Sequence, residues 1–318
     1  ELAAESHQDQ QRASLRGHLE LAAAAPFARA WFKELAGSLE VDLSATAAGD
    51  VKDIAISGNV AVATPLSVTL ADLPVHASIP GGRLSVTNNV IDTAALPVIL
   101  HAEGFPVAAV SKIDAKARLT GRIDAMSPRA KYNAHLALEN LDVHVPLIGR
   151  NPIHAAGGMI DVVGEAGTGK VDLTRIDLPI SAEVERLAAT AGVMVDRAKV
   201  ALRVRGTARQ LALSGDVDLG SAHIRADALQ KSGGGGKGGG DKKKGPLADH
   251  PEIEAAALDI RVRSSGGAVS VDVNNIPDLR VDVDMHVGGT VKKPSITGTQ
   301  KGANIWSSFV LALVRLFT

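Results

Sequence analysis

The chain has no cysteine, which excludes disulfide frameworks and thiol chemistry and leaves the redox compartment open. Aromatic residues are only 3% of its 318 residues, too few to build surfaces that stack nucleobases or sugar rings. Neither sign of charge is in surplus. A net charge of −1 gives no electrostatic reason for nucleic acid or an anionic membrane surface as partner, and no nucleic-acid partner is expected. No apolar run reaches the roughly 20 residues of a membrane-crossing helix. The sequence opens on Glu1 with no signal peptide, so any export signal would lie upstream of it.

Catalytic signatures are missing too. No Gly-x-Ser-x-Gly elbow or other nucleophile motif occurs. The run GEAGTGK, Gly164–Lys170, approaches a phosphate-binding loop, but that loop needs Ser or Thr after the lysine and a helix to aim its amides at the phosphate. Here Val171 follows and VDLTRIDL continues as a strand, so the run reads as a hairpin turn. Among ten histidines, His76, His101, His154, His223 and His286 stand alone, and His135 and His144 are nine apart. None has the spacing of a zinc or iron site. No enzyme, cofactor or metal is expected.

What the chain does have is alternation. In the stretch Pro277–Gly298, Leu279, Val281, Val283, Met285 and Val287 alternate with Arg280, Asp282, Asp284 and His286, which gives a strand one oily and one charged face. The stretch Gly37–Gly58 matches it at an offset of 240 residues, with Leu39/Leu279, Val41/Val281, Ile56/Ile296 and Gly58/Gly298 among the identities or near-identities. A shorter copy, GTARQLALSG, runs from Gly206 to Gly215. The clearest alternation is Ser111–Ala125, which places Ile113, Leu119 and Ile123 on one face and Lys112, Asp114, Lys116 and Arg118 on the other. With 45% hydrophobic and 22% charged residues, the chain has ample material for a core.

Taken in order, residues 1–12 are expected to be a disordered edge, and a β domain is expected over 13–303. Pro26 followed by FARAWFKEL and Gly37 predicts a short helix, and Ser181–Ala191 predicts a second. A Pro-Gly-Gly turn is expected at Pro80. The glycine- and lysine-rich residues 231–246 are expected to be a flexible loop at a long hairpin tip. Residues 304–318 are expected to form an apolar helix, either a plug or a docking segment for a membrane or partner through Trp306, Phe309, Leu313, Leu316 and Phe317. The fold class is mainly β: a long meander, antiparallel because its connections are short, with two or three short helices.

The oily stripes must leave water, at about 25 cal/mol per Å² of apolar surface. They can do so in a closed sandwich, or in a groove that holds another apolar molecule. Long strands and many small inner residues favour the groove. Its lining would be Leu39, Val41, Leu43, Ile113, Leu119, Ile123, Leu279, Val281, Val283 and Val287.

GGTVKKPSITG, Gly288–Gly298, and the wording around it, DVNNIPDLRVDVDMHVGGTVKKPSITGTQKGANIW, resemble the C-terminal domain of the TamB family of AsmA-like proteins of diderm bacteria. LELAAAAPFARAWFKELAGSLEVDLSATAAGDVKDIAISG is similar to that family's unit of a short helix followed by a strand. The resemblance implies an elongated, taco-like β-groove in the periplasm, anchored to the inner membrane in the full-length protein by a segment upstream of this chain. It implies phospholipid acyl chains as cargo and an Omp85-type outer-membrane barrel as partner, in lipid transport or outer-membrane protein assembly. The alternative is an exported structural or adhesive β-repeat protein with a closed core and no lipid.

Overall fold

A computed structural model describes residues 2–7, 10–28, 32–48, 54–71, 74–103, 111–124, 131–145, 151–165, 170–190, 193–207, 209–225, 254–273 and 276–298. Strands dominate them, as the alternation predicts, and the protein is mainly β. Two compact units form, Glu1–Asp142 with Ala156–Arg175, and Val143–Ala155 with Ile176–Thr318.

In the first unit β1 (Leu2–His7) pairs with β2 (Gln10–Glu20), so the edge expected to be disordered is a hairpin. Helix α1 (Leu21–Ala28) follows. It takes the alanine run that precedes Pro26, because alanine has the best intrinsic helix propensity. Of the helix expected after Pro26, Phe27 and Ala28 end α1, residues 29–31 lie outside the described residues, and the remainder is strand. Phe32 and Leu35 belong to β3 (Phe32–Ala48), where Phe32 pairs with Leu70 and Leu35 with Val68 of β4 (Ile54–Leu70).

Beyond β4 come β5 (Val75–Ile79), β6 (Arg83–Thr87) and β7 (Val90–Glu103). Both β5 and β6 run antiparallel to β4 and to β7, so Pro80-Gly81-Gly82 does not reverse the chain. It interrupts one strand, and Val62 N–H donates to the Gly82 carbonyl at 3.0 Å across the interruption. β7 pairs with β8 (Lys112–Asp124). Thr120 Oγ1 of β8 donates to the His135 carbonyl of β9 (Lys131–His144) at 3.5 Å. After β10 (Ile153–Ala156), β11 (Met159–Glu165) pairs with β9.

β12 (Lys170–Thr190) begins in the first unit and ends in the second. It contains the second expected helix, which is strand instead. Val184, Leu187 and Ala188 fit a helical stripe, but Ala182 and Val184 are buried while Glu183 and Glu185 are exposed. Pairing with β13 (Val193–Thr207) imposes the period of two. The GEAGTGK run is flanked by the strands β11 and β12, and its residues 166–169 lie outside the described residues.

β13 pairs with β14 (Gln210–Arg225). The next two strands, β15 (Ala257–Arg263) and β16 (Val269–Val273), join β14 in parallel, with Ala212 opposite Ala257 and Arg225 opposite Asp272. This overturns the hairpin-tip reading of the glycine-lysine run. The chain between Arg225 and Ala257 must return along 13 residues of β14, about 43 Å. It is a crossover connection, and 231–246 themselves lie outside the described residues. β17 (Ile276–Val281) pairs with β16, β18 (Asp284–Gly289) with β15, and β19 (Pro294–Gly298) with β18, all antiparallel.

The two repeat copies are both hairpins with different registers. Leu43 faces Gly58, whereas Met285, not Val283, faces Gly298. The slip is two residues, and an even slip keeps every side chain on its face. Gly215, which closes the shorter copy, occupies a position that requires glycine. Its φ is +140°, and a Cβ there would sit 2.2 Å from the Ala201 carbonyl oxygen.

The second unit has a dry core. Val195, Ile224, Val262, Val269, Leu219, Val283 and Val287 are all nearly inaccessible and form one cluster. The cluster spans the interruption between β15 and β16, which Ser264 seals. Ser264 N–H donates to the Val283 carbonyl and its Oγ accepts the Val283 N–H, each at 2.8 Å. Ser264→Ala should leave that buried N–H unpaired and destabilise the second unit by about 1–3 kcal/mol, read as a lowered urea midpoint. An unchanged midpoint would show that the seal is dispensable.

Candidate functional site

Directly opposed residues on neighbouring strands share a face, so the registers define what each unit presents. In the first unit one row runs Leu15–Leu43–Gly58–Val86–Ile91–Ile123 across β2, β3, β4, β6, β7 and β8. The next row, Gly17–Val41–Val60–Leu84–Thr93–Gly121, lies beside it, and Leu19–Leu39–Val62 begins a third. Leu136 opposite Ile160 and Ala134 opposite Val162 carry the pattern onto β9 and β11. Six strands at about 4.8 Å spacing make each of the first two rows roughly 24 Å wide. No Asp, Glu, Lys or Arg falls in these rows.

This face is not dry. Leu15 is 45% exposed, Leu19 46% and Ile123 36%. Leu39, Leu43, Val60, Val62, Leu84, Ile91 and Leu119 are half-buried, and Val41 and Val86 are buried. The second unit contrasts with it: Val283 and Val287, which continue the repeat at the offset of 240, are 2% exposed.

The predicted lining residues therefore divide. Leu39, Val41, Leu43 and Ile123 lie in the rows just described, and Leu119 and Ile113 continue the same side of β8. Val281 is half-buried against the core of the second unit, within which Val283 and Val287 lie. Leu279 pairs with Val271 yet is 47% exposed. Trp306, Phe309, Leu313, Leu316 and Phe317 lie outside the described residues. Sequence reasoning missed Leu15, Leu19, Val60 and Val62 as lining. All four were visible as apolar alternation, but only the registers place them opposite Leu43, Leu39 and Val41.

The opposite faces are tied by ions. Arg203 holds Asp177 with Nε to Oδ1 at 2.5 Å and Nη2 to Oδ2 at 2.9 Å, and Arg205 adds a contact at 3.4 Å. Arg261 holds Asp284 in the same two-pronged way at 3.0 and 2.8 Å. Histidines acquire carboxylates across strands: His101 with Asp114, His135 with Asp161, His223 with Asp272, and His286 with Asp259. Hollows of about 540 and 370 Å³ lie on these charged faces, one over β12–β14 and one beside Arg16, Asp42 and Arg83. Among the described residues no three His, Asp or Glu side chains group as a metal centre.

Comparison with family models, with curated proteins and with solved structures gave no match.

The ion pairs set an acid limit. The Arg203 guanidinium holds the Asp177 carboxyl below the usual carboxylate range, Arg261 does so for Asp284, and His101 followed by Lys112 does so for Asp114. A lowered folded-state pKa stabilises fully above the unfolded value, and the contribution is lost as pH falls through the folded value. The urea midpoint should therefore drop between about pH 5 and pH 2, and more shallowly in Asp177→Asn. Equal slopes for the two proteins would remove Asp177 from the account.

Proposed function

We propose that the chain is a non-enzymatic module that carries phospholipid acyl chains by shape-tolerant apolar contact. In this reading it works in the periplasm of a diderm envelope, tethered to the inner membrane by an upstream segment. It delivers lipid toward an Omp85-type outer-membrane barrel and assists assembly there. The observation that carries the lipid part is the uncharged, half-exposed face of the first unit, six strands wide, on a chain whose second unit buries Val283 and Val287 of the same repeat pattern. An apolar face left wet forgoes about 25 cal/mol per Å², and an acyl chain laid on it recovers that energy without a polar code. The envelope, the tether and the barrel rest on the resemblance of Gly288–Gly298 and its surroundings to the TamB family.

A second reading, an exported structural β-repeat protein without lipid, is favoured by the closed core around Val283 and Val287.

Native mass spectrometry of the purified chain, with lipid extraction, separates the two. Co-purifying phospholipid is expected, and Leu39→Asp and Leu119→Asp should reduce it severalfold while the circular dichroism of the sheet is retained. Val283→Asp should instead unfold the second unit, because an unpaired buried charge costs several kcal/mol. A lipid-free, cooperatively melting wild-type protein would favour the structural reading.

A further inference from the structure

Of the four histidines that meet carboxylates across strands, only His223 has a hydroxyl at its second ring nitrogen. Ser270 Oγ lies 2.7 Å from His223 Nδ1, and Asp272 Oδ2 lies 3.1 Å from Nε2. The parallel joining of β16 to β14 assembles the three. It sets Ser270 directly opposite His223 and brings Asp272, two residues on, to the same face. No local motif announces them, since Ser270 follows His223 by 47 positions.

The two partners settle the tautomer. A carboxylate accepts hydrogen bonds and donates none, so in the neutral ring the proton sits on Nε2 and Nδ1 is left to accept from the Ser270 hydroxyl. That is the order of nucleophile, base and orienting carboxylate that activates a serine. Two arginines flank it. Arg280 of β17 is directly opposite Ser270, and Arg225 of β14 is directly opposite Asp272. The Arg280 stem lies over Gly267, where an added Cβ would come within 3.1 Å of it. Ser270 is half-buried, and His223 and Asp272 keep 40% and 37% of their side-chain surface exposed, so a solute can reach the three.

We propose that Ser270 is an acyl acceptor, a serine that takes one acyl group from a carboxylic ester. Its Oγ forms a bond to the ester's carbonyl carbon while the hydroxyl proton passes to His223 Nδ1. Asp272 holds the Nε2–H and steadies the imidazolium, and Arg280 supplies a cation beside the carbonyl oxygen as that oxygen takes up negative charge. The bond to the ester's alcohol oxygen then breaks. The alcohol leaves with the proton held by His223, and the acyl group stays on Ser270. The transfer modifies the protein once and is not a turnover. The site lies on the charged face of the second unit and is independent of any lipid cargo.

Incubation of the full chain with p-nitrophenyl acetate tests this. Intact mass after an acid quench should show one acetyl group per chain, and peptide mapping of the wild-type protein, which needs no variant to fold, should place it on Ser270. Ser270→Ala should lose the acetyl group while the circular dichroism of the sheet is retained. His223→Gln should slow the transfer about a hundredfold. Asp272→Asn should slow it as well, because an amide can donate to Nε2 and leave the ring proton on Nδ1. Acetyl groups spread over several serines and lysines at similar rates, or p-nitrophenol released with no acetyl group retained, would overturn the acceptor. Acetylation of Ser270 at an unchanged rate in His223→Gln would overturn His223 as its base.

Discussion

Parity governs this protein. Long stretches of strand carry their apolar residues at every second position, so the assembly depends on ladders that hold their register over those stretches and confine single-residue shifts to a few irregularities. The two repeat hairpins show what is tolerated: Gly58 and Gly298 differ in partner by two positions, and their faces are unchanged. Where the ladder does shift, the structure answers locally. At the irregularity of β3, Ser38 is fully enclosed, and its hydroxyl meets Thr64 Oγ1 at 2.9 Å, so a polar group turned inward keeps a partner.

Much of this could be read from the letters, because a period of two is a property of the chain itself. Strands through Ile113, Leu119 and Ile123, or through Met285 and Val287, follow from alternation alone, although the alternating run Leu279–Val287 is broken at Asp282–Val283, where β17 on β16 gives way to β18 on β15. The helical reading of Ser181–Ala191 failed because Val184, Leu187 and Ala188 satisfy both periods, and the partner strand β13 decides between them. The reading after Pro26 failed for a similar reason: Phe32 and Leu35 fit a helix until β4 is set beside them. Direction was out of reach as well, since no residue between Arg225 and Ala257 states whether the chain reverses or crosses over. The site was half legible. Which residues are oily is written in the sequence, but whether a given face ends wet or dry depends on what packs over it.

The charged faces follow from the same geometry. Once registers are fixed, acids and bases that alternate with the apolar residues are brought opposite one another, and Asp177 gathers two arginines that lie 26 and 28 residues away. Exposed pairs of this kind add little individually. Their value lies in discrimination, since a register wrong by one position would bury them.

The parallel joining of β15 and β16 to β14 has a consequence for synthesis. When Arg225 leaves the ribosome, β14 has β13 on one side and an open edge on the other, and 31 residues must follow before Ala257 can reach it. An open edge invites the first strand that comes by, from the same chain or another. The nascent chain next offers it glycine and lysine, the residues least suited to a pleated, half-buried surface. Residues depleted in strands thus separate β14 from the strands that complete its edge.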